Sequence, residues 1–468
     1  MPARTQVPVK EFKSLLEDTF PDDTSLPPFM VSTTRGFLPR QEPLIELPSE
    51  FAALEDILQQ LPVRKRDGTP GLLAQGRLGD VVHESFPNLI DAVEKYKDNQ
   101  VVLNALYRDY SFLASAYLLE PCHHKYLKDG DYGLARDVLP KCISLPIVKV
   151  ADLTGFQPFM EYAGSYALFN YRLLNPDEGL NYDNIAIIRA FEHGLDRTSS
   201  EAGFILVHVD MVQHSGGLID GAVKAIRACQ GEGNHGAFRD GLKQVLATLR
   251  KINATMEKMW GKSKPGDYNS FRTFIFGIAS QSMFPKGVIY EGVSDKPLSF
   301  RGESGANDSM VPLCDNLLEI SMPDTPLTEI LKDFRKYRPG NHRDFLEWVK
   351  ESAAAVGIQD FSLRDPQSAV LYLLCIDQVR DFRWRHWCFT REYILKKTNH
   401  PTATGGSPIV RWLPNQLKAV LALEVKVIEK LAEMNHVTKE VEQVREIVER
   451  QTLSLEKEER KYCEERKQ

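Results

Sequence analysis

The stretch DFRWRHWCFTREY, residues 381–393, sets a histidine in an aromatic, arginine-rich segment with helical spacing. Counting back from His386 in helical steps meets Phe382, Val379 and Cys375; counting forward meets Phe389 or Thr390 and Tyr393. The histidine therefore shares the face on which apolar side chains point. A buried imidazole needs a partner for each nitrogen. One reading is a core histidine bonded to a backbone carbonyl; the other is an axial ligand to heme iron. Arg383, Arg385 and Arg391 read either as a solvated basic face or as partners for carboxylates at a porphyrin edge.

His208, in GFILVHVDM (203–211), lies on a second strongly apolar segment, one turn from Phe204 and near Met211. Two buried histidines on separate helices admit three readings. They are unrelated core residues, the two axial ligands of a closed electron-transfer heme, or one iron ligand opposite a distal residue that faces substrate. Other histidines read more blandly: His123 and His124 form an adjacent polar pair, His400 precedes a proline, and His436 lies in a charged segment. HExxH and Cys/His zinc spacings are absent, which argues against a zinc hydrolase.

Working outward, apolar residues recur at three- and four-residue spacing over 158–173, 201–229, 235–260 and 368–397, which predicts helices there. The prolines of DVLPKCISLPIVKVADLTG (137–155) predict a loop or junction. Long loops are expected over 284–311 and 399–412, and loops of that length are often functional. After Pro414 the pattern predicts one long charged helix with an apolar stripe of Val427, Leu431, Met434, Val437, Val441, Val444, Val448 and Leu455. Such a stripe suits a coiled coil or docking. Ahead of all this, Phe37, Leu38, Leu44 and Leu47 predict an arm lying across the folded body.

The fold class expected is mainly α. Residues 1–48 form the arm, 49–195 a small N-terminal domain, 196–414 a large helical domain, and 415–468 a C-terminal helical extension. With 43% apolar and 26% charged residues in 468, the chain has the composition of a globular protein. A net charge of -6 gives no global electrostatic case for nucleic acid or an anionic membrane. The seven scattered cysteines, none in a CxxC pair, fit thiols in a reducing compartment. No apolar run approaches the roughly 20 residues needed to cross a bilayer, so the expected location is cytoplasmic.

Taken in order, TRGFLP, RDVLPKCISLP, EAGFILV, FRTFIFG, GVIYEGV, SGANDS with CDNLL, RKYRPGNHRDFL, RWRH and ATGGS make a specific pattern. It resembles the indoleamine 2,3-dioxygenase family, heme enzymes that insert both atoms of O2 across the C2–C3 bond of an indole. The resemblance runs from about residue 34 to 412. It implies heme b (iron protoporphyrin IX) between a smaller and a larger domain, with His386 as the proximal iron ligand and Arg383 and Asp315 at the heme edge. It implies that Phe204, Tyr162 and Tyr268 line the indole pocket and that Arg272 takes the substrate carboxylate. An arginine in so apolar a setting is costly unless it meets an anion, whether a substrate carboxylate or a protein Asp or Glu. Thr404 and Gly405, followed by Gly406, match a flexible loop that closes over substrate.

The pattern also departs from the mammalian members. His208 stands where they have a serine, and the imidazole can hydrogen-bond an indole N–H as in the related tryptophan 2,3-dioxygenases. The tryptophan after the FRTFIFG-like segment is missing, and Asp267 replaces an aromatic pocket residue. The resemblance implies oxidation of L-tryptophan by O2 to N-formylkynurenine, the opening step of tryptophan catabolism by the kynurenine pathway. Alternatives are heme-dependent monooxygenation or peroxygenation of another aromatic substrate, and non-catalytic heme binding. Self-association through the C-terminal helix is a further expectation.

Overall fold

The computed structural model describes residues 9–194, 196–323, 326–398, 400 and 402–466. Seven long helices dominate the part that carries the site. They are α1 (Gln100–Asp129), α2 (Lys141–Thr154), α3 (Ser200–Val212), α4 (Ser215–Ala228), α5 (His235–Met256), α6 (Met310–Leu317) and α7 (Gly340–Val356). Three more frame the site: α8 (Pro366–Phe389), α9 (Ile409–Glu433) and α10 (Lys439–Arg466), and Tyr268–Arg272 adds a short turn of helix. Sheet is slight among the described residues. Val138–Leu139 pairs in parallel with Ile289–Tyr290, and Tyr171–Leu173 pairs antiparallel with Ile185–Ile187.

The mainly α fold expected from periodicity is the fold observed. Helix α1 is capped by the Asn99 side chain, which accepts from the Val102 N–H, and is buried almost continuously from Val102 to His123. Its buried charges are paired inside: Asp109 takes Arg108 at 2.7 Å and Arg189 at 2.8 Å. In the other half α5 packs on both α4 and α8, and α9 packs between α8 and α10. Phe37 and Leu38 of the arm are buried, and Leu44 and Leu47 pack against the same core.

Two local expectations are overturned. The stretch 137–155 holds the 14-residue helix α2, with Pro146 inside it. Ile143, Ile147, Val150 and Ala151 make a buried stripe, and that stripe outweighs the roughly 3 kcal/mol an interior proline costs. Conversely, 158–173 is not a helix. The Glu161 carboxylate accepts the N–H groups of Ala163 and Gly164, which restricts helical structure to one wide π turn, Tyr162–Tyr166, before the chain extends into Tyr171–Leu173.

The C-terminal extension is helical, but as two helices rather than one. α9 already begins at Ile409, and the chain reverses after Glu433, where Asn435 takes φ 51°. Val441, Val444, Val448 and Leu455 of α10 are buried against the chain's own helices. Among the described residues no helix is long and apolar enough to cross a membrane.

Candidate functional site

His386 lies near the C-terminal end of α8, just before a π turn at Thr390–Leu395. Such turns often mark functional positions, because the extra residue re-aims neighbouring side chains. Around the histidine the helix is pinned. The Trp387 indole N–H and the Arg391 guanidinium donate to the two oxygens of Glu458 on α10, both at 2.6 Å. The imidazole itself has no hydrogen-bond partner among the described residues, so no backbone carbonyl among them takes its N–H. Burial first, then His208 and Arg383, push its pKa down to about 4, so the ring is neutral at pH 7 with a free lone pair.

His386 borders two cavities. The larger, about 750 Å³, is also lined by Asp315, Phe382, Arg383, Arg338, Arg343 and Trp412. Arg383 donates to Asp315 at 2.7 Å but leaves Nε and Nη1 without partners. Burial pushes Asp315 up and Arg383 opposes the shift. Arg338 donates to the Ala306 carbonyl at 3.0 Å, keeps an unpartnered Nε, and is pushed down to about 10 by burial. Sequence reading missed Arg338, although it stands in the RKYRPGNHRDFL stretch, because nothing local marks which of those cations turns inward. A neutral unpartnered imidazole, a cavity of ligand size and buried guanidiniums with open N–H groups together fit a heme with its propionates.

The smaller cavity, about 160 Å³, is bounded by His386, His208, Phe204, Tyr268, Glu303 and Thr404, among others. The His208 Nδ1–H donates to the Phe204 carbonyl at 2.7 Å, which leaves Nε2 as an acceptor towards Gly305. Burial lowers the His208 pKa, opposed by that carbonyl. Phe204 packs on His208 with ring centroids 4.9 Å apart and on Tyr268 at 5.5 Å, and Tyr162 meets His208 edge-on at 5.7 Å. Tyr162 stands behind the lining. Asp267 lies outside this cavity and accepts from the Ser200 hydroxyl at 2.7 Å, so the lost aromatic there removes no wall of it.

Arg272 also stands one layer back, wholly buried. Its Nη2 donates to the Thr402 carbonyl at 3.0 Å and its Cζ lies 4.7 Å from the Phe276 ring centre. Nε and Nη1 have no partner, and no carboxylate among the described residues pairs with it. The loop it touches is latched shut. Thr404 Oγ1 donates to the Glu303 carbonyl at 2.7 Å, the Gly277 N–H to the Thr404 carbonyl at 3.0 Å, and Arg301 Nη1 to the Gly405 carbonyl at 2.9 Å. A side chain at 405 would meet Phe334 at 2.6 Å, and Gly406 takes φ +84°. Both positions therefore require glycine.

A family model for indoleamine 2,3-dioxygenase matches residues 25–430. The mouse indoleamine 2,3-dioxygenase 1 is 26% identical over 368 residues, spanning 78% of this chain and 83% of that protein. A 6-hydroxytryptophan 2,3-dioxygenase of Fusarium equiseti is 26% identical over 80% of this chain and 86% of its own length. A protein named myoglobin from Haliotis diversicolor is 26% identical over 84% of this chain and 96% of its own.

Proposed function

Because the chain belongs to the indoleamine 2,3-dioxygenase family, a family of heme-dependent dioxygenases, we propose that it oxidises L-tryptophan or a close indole amino acid with O2 to the N-formylkynurenine-type product. The observation that carries this reading is an aromatic cavity bordered by an unpartnered neutral imidazole, His386, with a buried guanidinium, Arg272, one layer behind its wall and with Nε and Nη1 open. In this reading His386 would hold the heme iron, and Arg383, oriented by Asp315, and Arg338 would hold the propionate edge. Bound heme supplies the redox chemistry with O2, while the protein supplies binding, orientation and dryness.

Phe204 and Tyr268 flank the indole ring, with Tyr162 setting the His208 imidazole from behind. His208 Nε2, free to accept because Nδ1–H is committed to Phe204, takes the indole N–H. Arg272 exchanges its carbonyl bond for the substrate carboxylate. The Thr404 loop closes over the amino acid end and excludes water.

A second reading, a closed heme with both histidines on iron, draws on His208 Nε2 facing the same cavity as His386. The two are separated by loading the full chain with heme, reducing it, and recording optical spectra with and without L-tryptophan. A five-coordinate ferrous spectrum perturbed by tryptophan is expected. A six-coordinate low-spin spectrum in both oxidation states, unmoved by tryptophan, would refute the dioxygenase.

A further inference from the structure

Glu303 is a carboxyl where an indole pocket has no obvious use for one. It borders the smaller cavity with Phe204, His208 and Tyr268 and is only 2% exposed. No N–H or O–H donor among the described residues reaches its carboxyl. The charge of another carboxyl, Glu161, opposes ionisation of Glu303, and the Glu161 oxygens are already committed to the N–H groups of Ala163 and Gly164. The hydroxyl of Tyr162, also near, is itself unpartnered.

The position of Glu303 is fixed rather than incidental. Its carbonyl is held by Thr404 Oγ1 at 2.7 Å. The preceding residue, Gly302, sits so close to the next strand of chain that an added Cβ would lie 2.2 Å from the Gly277 N. The backbone cannot swing the side chain out. A buried carboxyl without a donor is unfavourable until something supplies one, and the direction agrees: burial pushes Glu303 up to about 8.

We propose that Glu303 is a specificity-determining residue of this cavity, accepting a hydrogen bond from a donor group carried by the substrate. The inference rests on the reading of the cavity as an indole amino acid site. Two parts of such a substrate offer the donor, the α-ammonium and a hydroxyl on the ring; the indole N–H is taken by His208.

The test uses the heme-loaded full chain as wild type, Glu303→Gln and Glu303→Leu, with L-tryptophan, indole-3-propionate and 5- and 6-hydroxytryptophan. Kd is read from the optical change in the ferrous protein, and KM and kcat from turnover. For the ligand that bears the donor, Glu303→Leu raises Kd and KM about 10- to 100-fold, with the loss falling on KM more than on kcat. Glu303→Gln, which keeps a carbonyl acceptor, loses less. A loss for tryptophan absent for indole-3-propionate assigns the ammonium; a larger loss for a hydroxytryptophan than for tryptophan assigns the ring hydroxyl. Equal change for all four ligands, or none, overturns the proposal while leaving the cavity reading intact. Wild-type protein that carries heme yet binds no indole ligand overturns both.

Discussion

Replacing Arg272 with methionine keeps most of the side-chain stem and removes the charge, and the structure fixes what should follow. The guanidinium is wholly buried, has one carbonyl bond at 3.0 Å and one ring face 4.7 Å away, and among the described residues has no carboxylate partner. Removing a buried charge in favour of apolar packing stabilises by about 1–4 kcal/mol. The lost carbonyl bond takes back roughly 0.5–1.5 kcal/mol and the lost ring contact about 1 kcal/mol. The net runs from about 1.5 kcal/mol against to about 2.5 kcal/mol in favour of Arg272→Met, against the 3–5 kcal/mol loss typical of breaking a paired buried charge. Substrate reverses the ordering. Two charge-assisted bonds to a carboxylate at about 1.5–3 kcal/mol each predict a fall in kcat/KM for tryptophan of roughly a hundredfold or more. The assay is thermal unfolding without ligand, alongside kinetics with tryptophan and with tryptamine, which lacks the carboxylate. A variant destabilised by more than about 2 kcal/mol, or equally impaired on tryptamine, would show that Arg272 serves the fold and not the substrate.

Further outcomes follow from the same geometry. His386→Gly should lose heme during desalting, and added imidazole should restore its absorption; retention without imidazole would move the ligand elsewhere. His208→Ala should keep heme and raise KM for tryptophan by about 3- to 10-fold, the worth of one neutral hydrogen bond; a switch from low-spin to high-spin iron would instead mark His208 as a ligand. Gly405→Val must displace Phe334 and Ser304, and should lower kcat/KM at least tenfold with heme content unchanged, as read by absorbance and turnover. Truncation after Thr438 removes Glu458 from Trp387 and Arg391 and should speed heme loss to an apo-globin acceptor several-fold; an unchanged rate would detach α10 from the site.

The parts legible in the sequence are those whose physics is local. A three- and four-residue apolar period puts His386 and His208 on buried faces, and periodicity alone carries the helical body. Pro146 misleads because a proline rule ignores how much apolar surface the rest of α2 buries. The aromatic spacing of 158–173 misleads the other way, since Glu161 competes for the backbone N–H groups that a helix would use. Glu303 and Arg338 escape notice for a different reason. Each is one charged residue among many until the fold brings residues 303, 338, 386 and 404 together, and neither carries a spacing that would announce burial. Asn435, a non-glycine at positive φ, ends a charged helical pattern that continues unbroken on both sides.

The most direct test of the account is turnover of L-tryptophan by the reduced, heme-loaded chain under isotopically labelled O2, with product mass recorded over many cycles. Dioxygenation predicts an N-formylkynurenine in which both added oxygen atoms carry the label. One labelled atom, or a hydroxylated indole with its ring intact, would contradict it.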